Sequence, residues 1–187
     1  MGHGGNVIDE LVTDHQEVEE IFRRIAALPP GDKERKTYAD LATMELIRHC
    51  VAEEEYLSPA VRDYVANGGA LADEELKDHA RAEQIMEDLA SHEAVEAQFD
   101  RLISVVIIEI RAHMADEEGR LFPRLRAACS EDTLDELGDK ARRAKEAALI
   151  RSHPSAPGAS PGNKLLAPDT GPIDRMLCAL TGRGKQD

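Results

Sequence analysis

The sequence predicts an all-α protein: an up-and-down four-helix bundle with an internal two-fold repeat, followed by a peripheral C-terminal helix and a Pro/Gly-rich tail. Three observations predict it. Apolar residues recur with helical period in four successive stretches of the 187-residue chain. Aromatic residues make up only 3% and Trp is missing, so Leu, Ile, Val, Ala and Met must fill the core, which suits helices better than sheets. A shift of 64 residues lays Asp14-His15 on Asp78-His79, Glu19 on Glu83, Ile21 on Ile85, His49 on His113, Glu53-Glu54 on Glu117-Glu118, Leu57 on Leu121 and Pro59 on Pro123 with no gap.

Helix one carries Ile8, Leu11, Val12, Val18, Ile21, Phe22 and Ile25 at helical spacing and stops at Leu28-Pro29-Pro30-Gly31. Helix two opens near Asp32, presents Tyr38, Leu41, Met44, Leu46 and Ile47, and runs toward Pro59, with a further turn to Asn67-Gly68-Gly69, where the double Gly marks a stop. Helix three spans about 73–90. Helix four spans about 94–125, with Phe99, Leu102, Ile103, Val106 and Ile110 inward. Short connections between four helices imply the up-and-down arrangement, and residues 1–128 form this unit. Residues 129–150 make an additional helix capped by Ser130, whose thin apolar stripe predicts packing on the outside. Residues 151–187, with Pro154, Pro157, Pro161, Pro168 and Pro172 among Ser and Gly, read as a largely irregular tail in which Ile173 to Leu180 could form another turn or two.

The charge balance excludes several classes of partner. With 23 basic against 37 acidic residues, the formal charge of -14 repels a phosphate backbone, so neither nucleic acid nor an anionic membrane is expected. The longest apolar run, Val105 to Ile108, is one turn of helix and far short of a membrane span. The start, Met1-Gly2-His3-Gly4-Gly5-Asn6, lacks both the basic and the apolar region of a secretory signal. Cys50, Cys129 and Cys178 are odd in number without paired spacing, which fits reduced thiols; a cytoplasmic location is expected.

Each predicted helix of the bundle carries a His followed four positions later by a Glu: His15 and Glu19, His49 and Glu53, His79 and Glu83, His113 and Glu117. Four residues advance a helix by slightly more than one turn, so each pair shares a face and could offer an imidazole and a carboxylate to one cavity. The bland alternative for any single helix is a weak surface ion pair. Against it, the positions three before the histidines are Val12, Leu46, Leu76 and Ile110, and those seven before are Ile8, Ala42, Ala72 and Val106, which puts all four imidazoles on core-facing stripes. Four buried histidines among carboxylates are costly unless a cation compensates them, so a metal pair is expected. Imidazole and carboxylate without a thiolate at suitable spacing select Fe, Mn or Zn over an iron–sulfur or copper–thiolate site. The Glu-x-x-His signature of ferritin-like di-iron sites is missing from all four helices.

These residues resemble the hemerythrin-like proteins, also called HHE cation-binding domains. The resemblance covers about residues 7–125 and rests on Asp14-His15, on His49-Cys-Val-Ala-Glu53-Glu54 with Leu57 and Pro59, on Asp78-His79, and on His113-Met-Ala-Asp-Glu117-Glu118 with Leu121-Phe122-Pro123. It implies two iron ions in an oxo- or hydroxo-bridged non-haem centre, with Mn or Zn ranking behind. It also implies His15, His49, His79 and His113 as terminal ligands and Glu53 and Glu117 as bridges. Where oxygen-carrying members have a second His on the third helix, this chain has Glu83, which enters the expected ligand set. A carboxylate there favours the ferric state and disfavours reversible O2 carriage, so redox chemistry with peroxide or nitric oxide gains.

Tyr56, seven after His49 and three after Glu53, shares their face at helical spacing, either as an iron ligand or hydrogen-bond donor to a bound oxidant, or as a core aromatic. Glu19 is left as second-sphere or surface, and Glu54 and Glu118 as solvent-facing or second-sphere. His3, His92 and His153 read as solvated, and Cys50 is not counted as a ligand. The functional classes that follow are a small redox enzyme with catalase-like peroxide disproportionation, an O2- or nitric-oxide-binding sensor, and a metal-binding protein without turnover. The expected partners are a diatomic or peroxide ligand and an electron donor or other protein.

Overall fold

The computed structural model describes residues 4–152, all of whose regular elements are helical. The Pro/Gly-rich tail expected from residue 151 lies, but for its first two residues, outside the described residues, as do His3, His153 and Cys178. Helix α1 spans Val7–Ala27, α2 Lys33–Ala52, α3 Ser58–Tyr64, α4 Gly68–Ala90, α5 Ala97–Asp116, α6 Phe122–Ala128 and α7 Glu131–Ser152. Two π-helical turns, Glu53–Leu57 and Glu117–Leu121, join α2 to α3 and α5 to α6. From α2 to α3, every bound recurs 64 residues later in α5, the second π turn and α6.

The caps are local chemistry. Asn6 accepts from the backbone N–H of Ile8 and Asp9 at 3.0 and 3.1 Å, Asp32 from Glu34 at 2.9 Å, and Ser130 from Thr133 at 3.2 Å, each satisfying donors a helix start leaves orphaned. Pro29 and Pro30 end α1, and Gly31 takes a left-handed φ of +83°. The π turns interrupt what the periodicity reads as continuous helices. Pro59 and Pro123 have no N–H to continue the i→i−4 ladder, and just before them Ser58 and Phe122 bond five residues back, to Glu53 and Glu117.

The double Gly is a start and not a stop. Helix α3 ends at Tyr64, Asn67 turns the chain with φ 61°, and Gly68-Gly69 open α4 five residues earlier than expected. Contact explains the choice of residue: a Cβ on Gly68 would lie 1.9 Å from the carbonyl oxygen of Val61. Only glycine lets the two hairpins approach this closely.

Helix α1 packs on α2, α4 on α5 and α3 on α4. Two large apolar clusters result among the described residues. One gathers Phe22, Leu46, Met86, Phe99 and Ile103; the other gathers Leu11, Leu57, Val61, Leu71, Leu121 and Leu125. Each fully buried side chain of this size contributes about 1.5–3 kcal/mol. In chain order His15, His49, His79 and Glu117 each stand between a residue of one cluster and a residue of the other. Helix α7 exists as expected but is bound more deeply than its composition suggests. It packs on α1 and α2, with Leu134 and Ala141 fully buried in the second cluster and Lys145 2% exposed.

Candidate metal centre

His15 comes from the middle of α1, His49 from the last turn of α2, His79 from α4 and His113 from the last turn of α5, while Glu53 and Glu117 open the two π turns. All are buried except His113, which is partly so. The inward atoms are the Nε2 nitrogens. Glu53 Oε1 lies 3.0 Å from His49 and its Oε2 3.2 Å from His79, so one carboxylate spans a histidine of each half. Glu117 Oε2 does the same, 3.2 Å from His15 and 3.4 Å from His113. The rings pair up across the layer, His15 with His49 at 4.9 Å between centroids and His79 with His113 at 5.0 Å.

Three of the outer ring nitrogens are tied to carboxylates, and the fourth lies near one. Nδ1 of His15 faces Glu118 at 2.7 Å, that of His79 faces Glu54 at 3.1 Å, that of His49 faces Asp14 at 3.2 Å and that of His113 faces Glu75 at 3.4 Å. With a metal bound, the first three pairs keep hydrogen on Nδ1 and leave the Nε2 lone pair for the ion, the arrangement that supports metal-bound imidazoles, whereas the Glu75 oxygen makes no hydrogen bond to His113. The first two pairs are related by the repeat. The last two are not, since the repeat would pair His113 with Asp78, which instead meets Arg81 at 2.7 Å.

The inner atoms test whether a cation fits. Nε2 of all four histidines, both oxygens of Glu53 and of Glu117, and Oε2 of Glu75 are buried without a hydrogen-bond partner. Leaving one such atom unsatisfied costs about 1–3 kcal/mol, so nine together call for protons shared among them or for a cation. Their donor atoms group within 4.8 Å of one another as His15, His49, Glu53 and Glu117; as Glu75, His79 and His113; and as Cys50, Glu53 and His79. Nitrogen and carboxylate oxygen at this spacing suit a divalent or trivalent first-row cation.

The electrostatics agree. Burial opposes protonation of His49 and His79, yet the neighbouring carboxylates, Glu53 foremost, outweigh it and push them to about 10 and about 11. Burial and the charge of Glu53 push Glu117 well above the usual carboxylate range, and lift Glu75 to about 7. Without positive charge the pocket holds protons that a metal would displace.

The structure thus brings together His15, His49, Glu53, His79, His113 and Glu117, and leaves two expected residues outside the groups. Glu83 is buried, but its electrostatic neighbours are Glu54, His79 and Glu87. Glu75, one turn before His79 instead of one turn after, faces His113. Tyr56 packs beside Val51, Ala144 and Ala148, against α7. A π turn advances each residue by a smaller angle than an α-helix, so three residues after Glu53 no longer return to its face. Glu19 bonds Arg111 on the surface at 2.7 and 2.9 Å. Sequence reasoning missed Glu75 because its counterpart in the repeat is Leu11; the available signal was a second helical spacing, four residues ahead of His79.

Cys50, set aside as a ligand, is buried and lies with His49, His79, Ala82, Ile110 and His113 along a cavity of about 240 Å³ that reaches the site from the α4/α5 side. Charged residues edge it, including Arg81 and Arg120, each engaged in ion pairs.

Buried imidazole and carboxylate donors in the middle layer of a helical bundle define a cation-binding protein. The family model for the hemerythrin HHE cation binding domain matches residues 6–125, and the chain belongs to that family. The fold is similar to the crystal structure of a hemerythrin HHE cation binding domain-containing protein from Mycobacterium kansasii, with a TM-score of 0.68 and 20% identity over 82% of this chain and 96% of that one. No curated protein matches the sequence. Among the described residues no helix is long and apolar enough to cross a membrane.

Proposed function

We propose that the chain is a non-haem di-iron protein that reacts with small oxidants, hydrogen peroxide first and nitric oxide second, as part of an oxidative or nitrosative stress response. The observation that carries this reading is the set of four Nε2 atoms and two carboxylates, buried, converging and without hydrogen-bond partners. His15 and His49 form one metal position and His79, His113 and Glu75 the other, with Glu53 and Glu117 between them, each within 3.4 Å of a histidine from both halves. Two irons held there supply the redox change that peroxide disproportionation requires. The chain's own residues orient three of the imidazoles through Asp14, Glu54 and Glu118, exclude bulk water with the two apolar clusters, and admit small molecules along the cavity beside His79 and His113. That cavity favours a reacting centre over mere storage.

In this reading residues 1–128 are an up-and-down four-helix bundle with approximate two-fold symmetry, supported by the element bounds recurring at 64 residues, and 129–150 and 151–187 are an added helix and a tail. Glu75 takes the carboxylate role assigned above to Glu83, and Tyr56 serves packing. The protein works in the cytoplasm without nucleic acid, in keeping with its charge of -14; disproportionation of peroxide needs no outside electrons, whereas reduction of nitric oxide calls for a separate electron donor.

Elemental analysis of protein purified without added metal, with a visible spectrum of the same sample, tests the proposal. About two irons per chain, followed by decay of added peroxide, is the expected result. Zinc, or no metal in a stably folded chain, overturns it, and two irons without peroxide decay leave a binding module in place of an enzyme.

A further inference from the structure

Lys145 lies on α7, beyond the stretch matched by the family model, and is 2% exposed. Its Nζ donates to Glu10 Oε1 at 2.6 Å and to Asp14 Oδ1. The other oxygen of Asp14 is the partner of His49 Nδ1 at 3.2 Å, and His49 Nε2 stands 3.0 Å from Glu53. The adjacent Arg48 donates through Nε to the Lys145 carbonyl at 3.4 Å, so Lys145 meets the His49 turn directly there and indirectly through Asp14 of α1. In the second half, by contrast, the repeat mate of Asp14 pairs with Arg81 near the surface, and no Lys or Arg reaches Glu75 among the described residues.

A buried cation among carboxylates is a poor device for stability alone, because an apolar side chain of similar size docks a helix as well without the desolvation cost. It is a good device for orientation. We propose that Lys145 is a positioning residue of the metal centre, holding Asp14 against His49 so that this imidazole presents Nε2 to the metal position it shares with His15. The inference rests on the metal-binding reading given above. It makes the two metal positions unequal: the His15/His49 position is braced by a helix outside the repeat, whereas the His79/His113 position is not.

The test uses the full chain loaded with iron, competition with a chelator for affinity, and the visible spectrum. Lys145→Met is expected to weaken one of the two bound irons 10–100-fold and to shift the spectrum, as loss of outer support does in metal sites. Lys145→Arg should retain most of the affinity. Leu134→Ala, which loosens the same helix at a fully buried apolar position, should keep wild-type affinity and spectrum. Should Lys145→Met fail to fold, the pair Glu10→Gln with Lys145→Met removes one buried anion along with the cation, keeps the buried net charge, and should show the same loss. Wild-type affinity and spectrum in whichever of these variants folds, or an equal loss in Leu134→Ala, overturns the proposal while the metal centre stands. A wild-type chain that takes up no metal overturns both.

Discussion

Glu118 holds the Nδ1 edge of His15 at 2.7 Å, across the boundary between the two halves of the chain. Five residues after His113, it turns away from its own histidine and toward the one on α1. Glu54 does the same for His79. These crossed pairs mean that each half orients an imidazole belonging to the other.

Glu118→Ala should therefore lower metal affinity 10–100-fold while leaving the fold nearly untouched. The side chain is 47% exposed and what it touches is the ring edge of His15, so the loss of stability should stay near one hydrogen bond, about 0.5–1.5 kcal/mol. Chelator competition and thermal unfolding of the metal-free protein, run on the same preparation, separate the two effects. A fall in unfolding temperature with unchanged affinity would contradict the crossed arrangement.

Glu75→Ala should reduce bound metal more than Glu83→Ala, since Glu75 meets His113 at 3.4 Å and Glu83 lies outside the grouped donors. Glu19→Ala, at a surface ion pair with Arg111, should leave metal content unchanged. Metal analysis of the three variants decides the matter. Equal losses at positions 75 and 83 would restore Glu83 to the ligand set.

Metal binding should release protons near neutral pH and weaken as pH falls. Glu75, raised by burial and by Glu53 to about 7, becomes progressively protonated below that value, and His49 and His79, at about 10 and about 11, are already protonated in the metal-free chain. A ligating metal must displace these protons, so acid competes with it. Titration calorimetry in two buffers of different ionisation enthalpy counts the protons released. Binding that shows no dependence on buffer would contradict the assignment.

Gly68→Ala should destabilise the protein by about 1–3 kcal/mol, because the added methyl meets the Val61 carbonyl oxygen at 1.9 Å and the backbone must yield. Gly69→Ala, whose Cβ would touch only the end of the Arg62 side chain at 3.8 Å, is the comparison and should cost far less. Denaturant midpoints of the two variants measure the difference.

Much of this was legible in the sequence. The helical period located every long helix, and the repeat located the four histidines and the two carboxylates between them, because ligands on one helical face leave a spacing that can be read. Glu75 was hidden because it breaks the repeat. Tyr56 packs as the core aromatic that its helical spacing also allowed, and the π turn that carries it away from the face of Glu53 has no sequence sign but Pro59. Lys145 was hidden by its chemistry. On a polar helix it reads as solvated, and only the acidic pair opposite, Glu10 and Asp14, makes its burial tolerable.

The candidate donors come from both hairpins: Glu117 joins His15, His49 and Glu53, while Glu53 reaches over to His79. While the chain is being synthesised, then, the N-terminal hairpin emerges first and owns no finished coordination sphere. Ion capture has to wait for the second hairpin to dock, so loading follows assembly, and a tightly bound ion becomes a record that the last step of folding was completed.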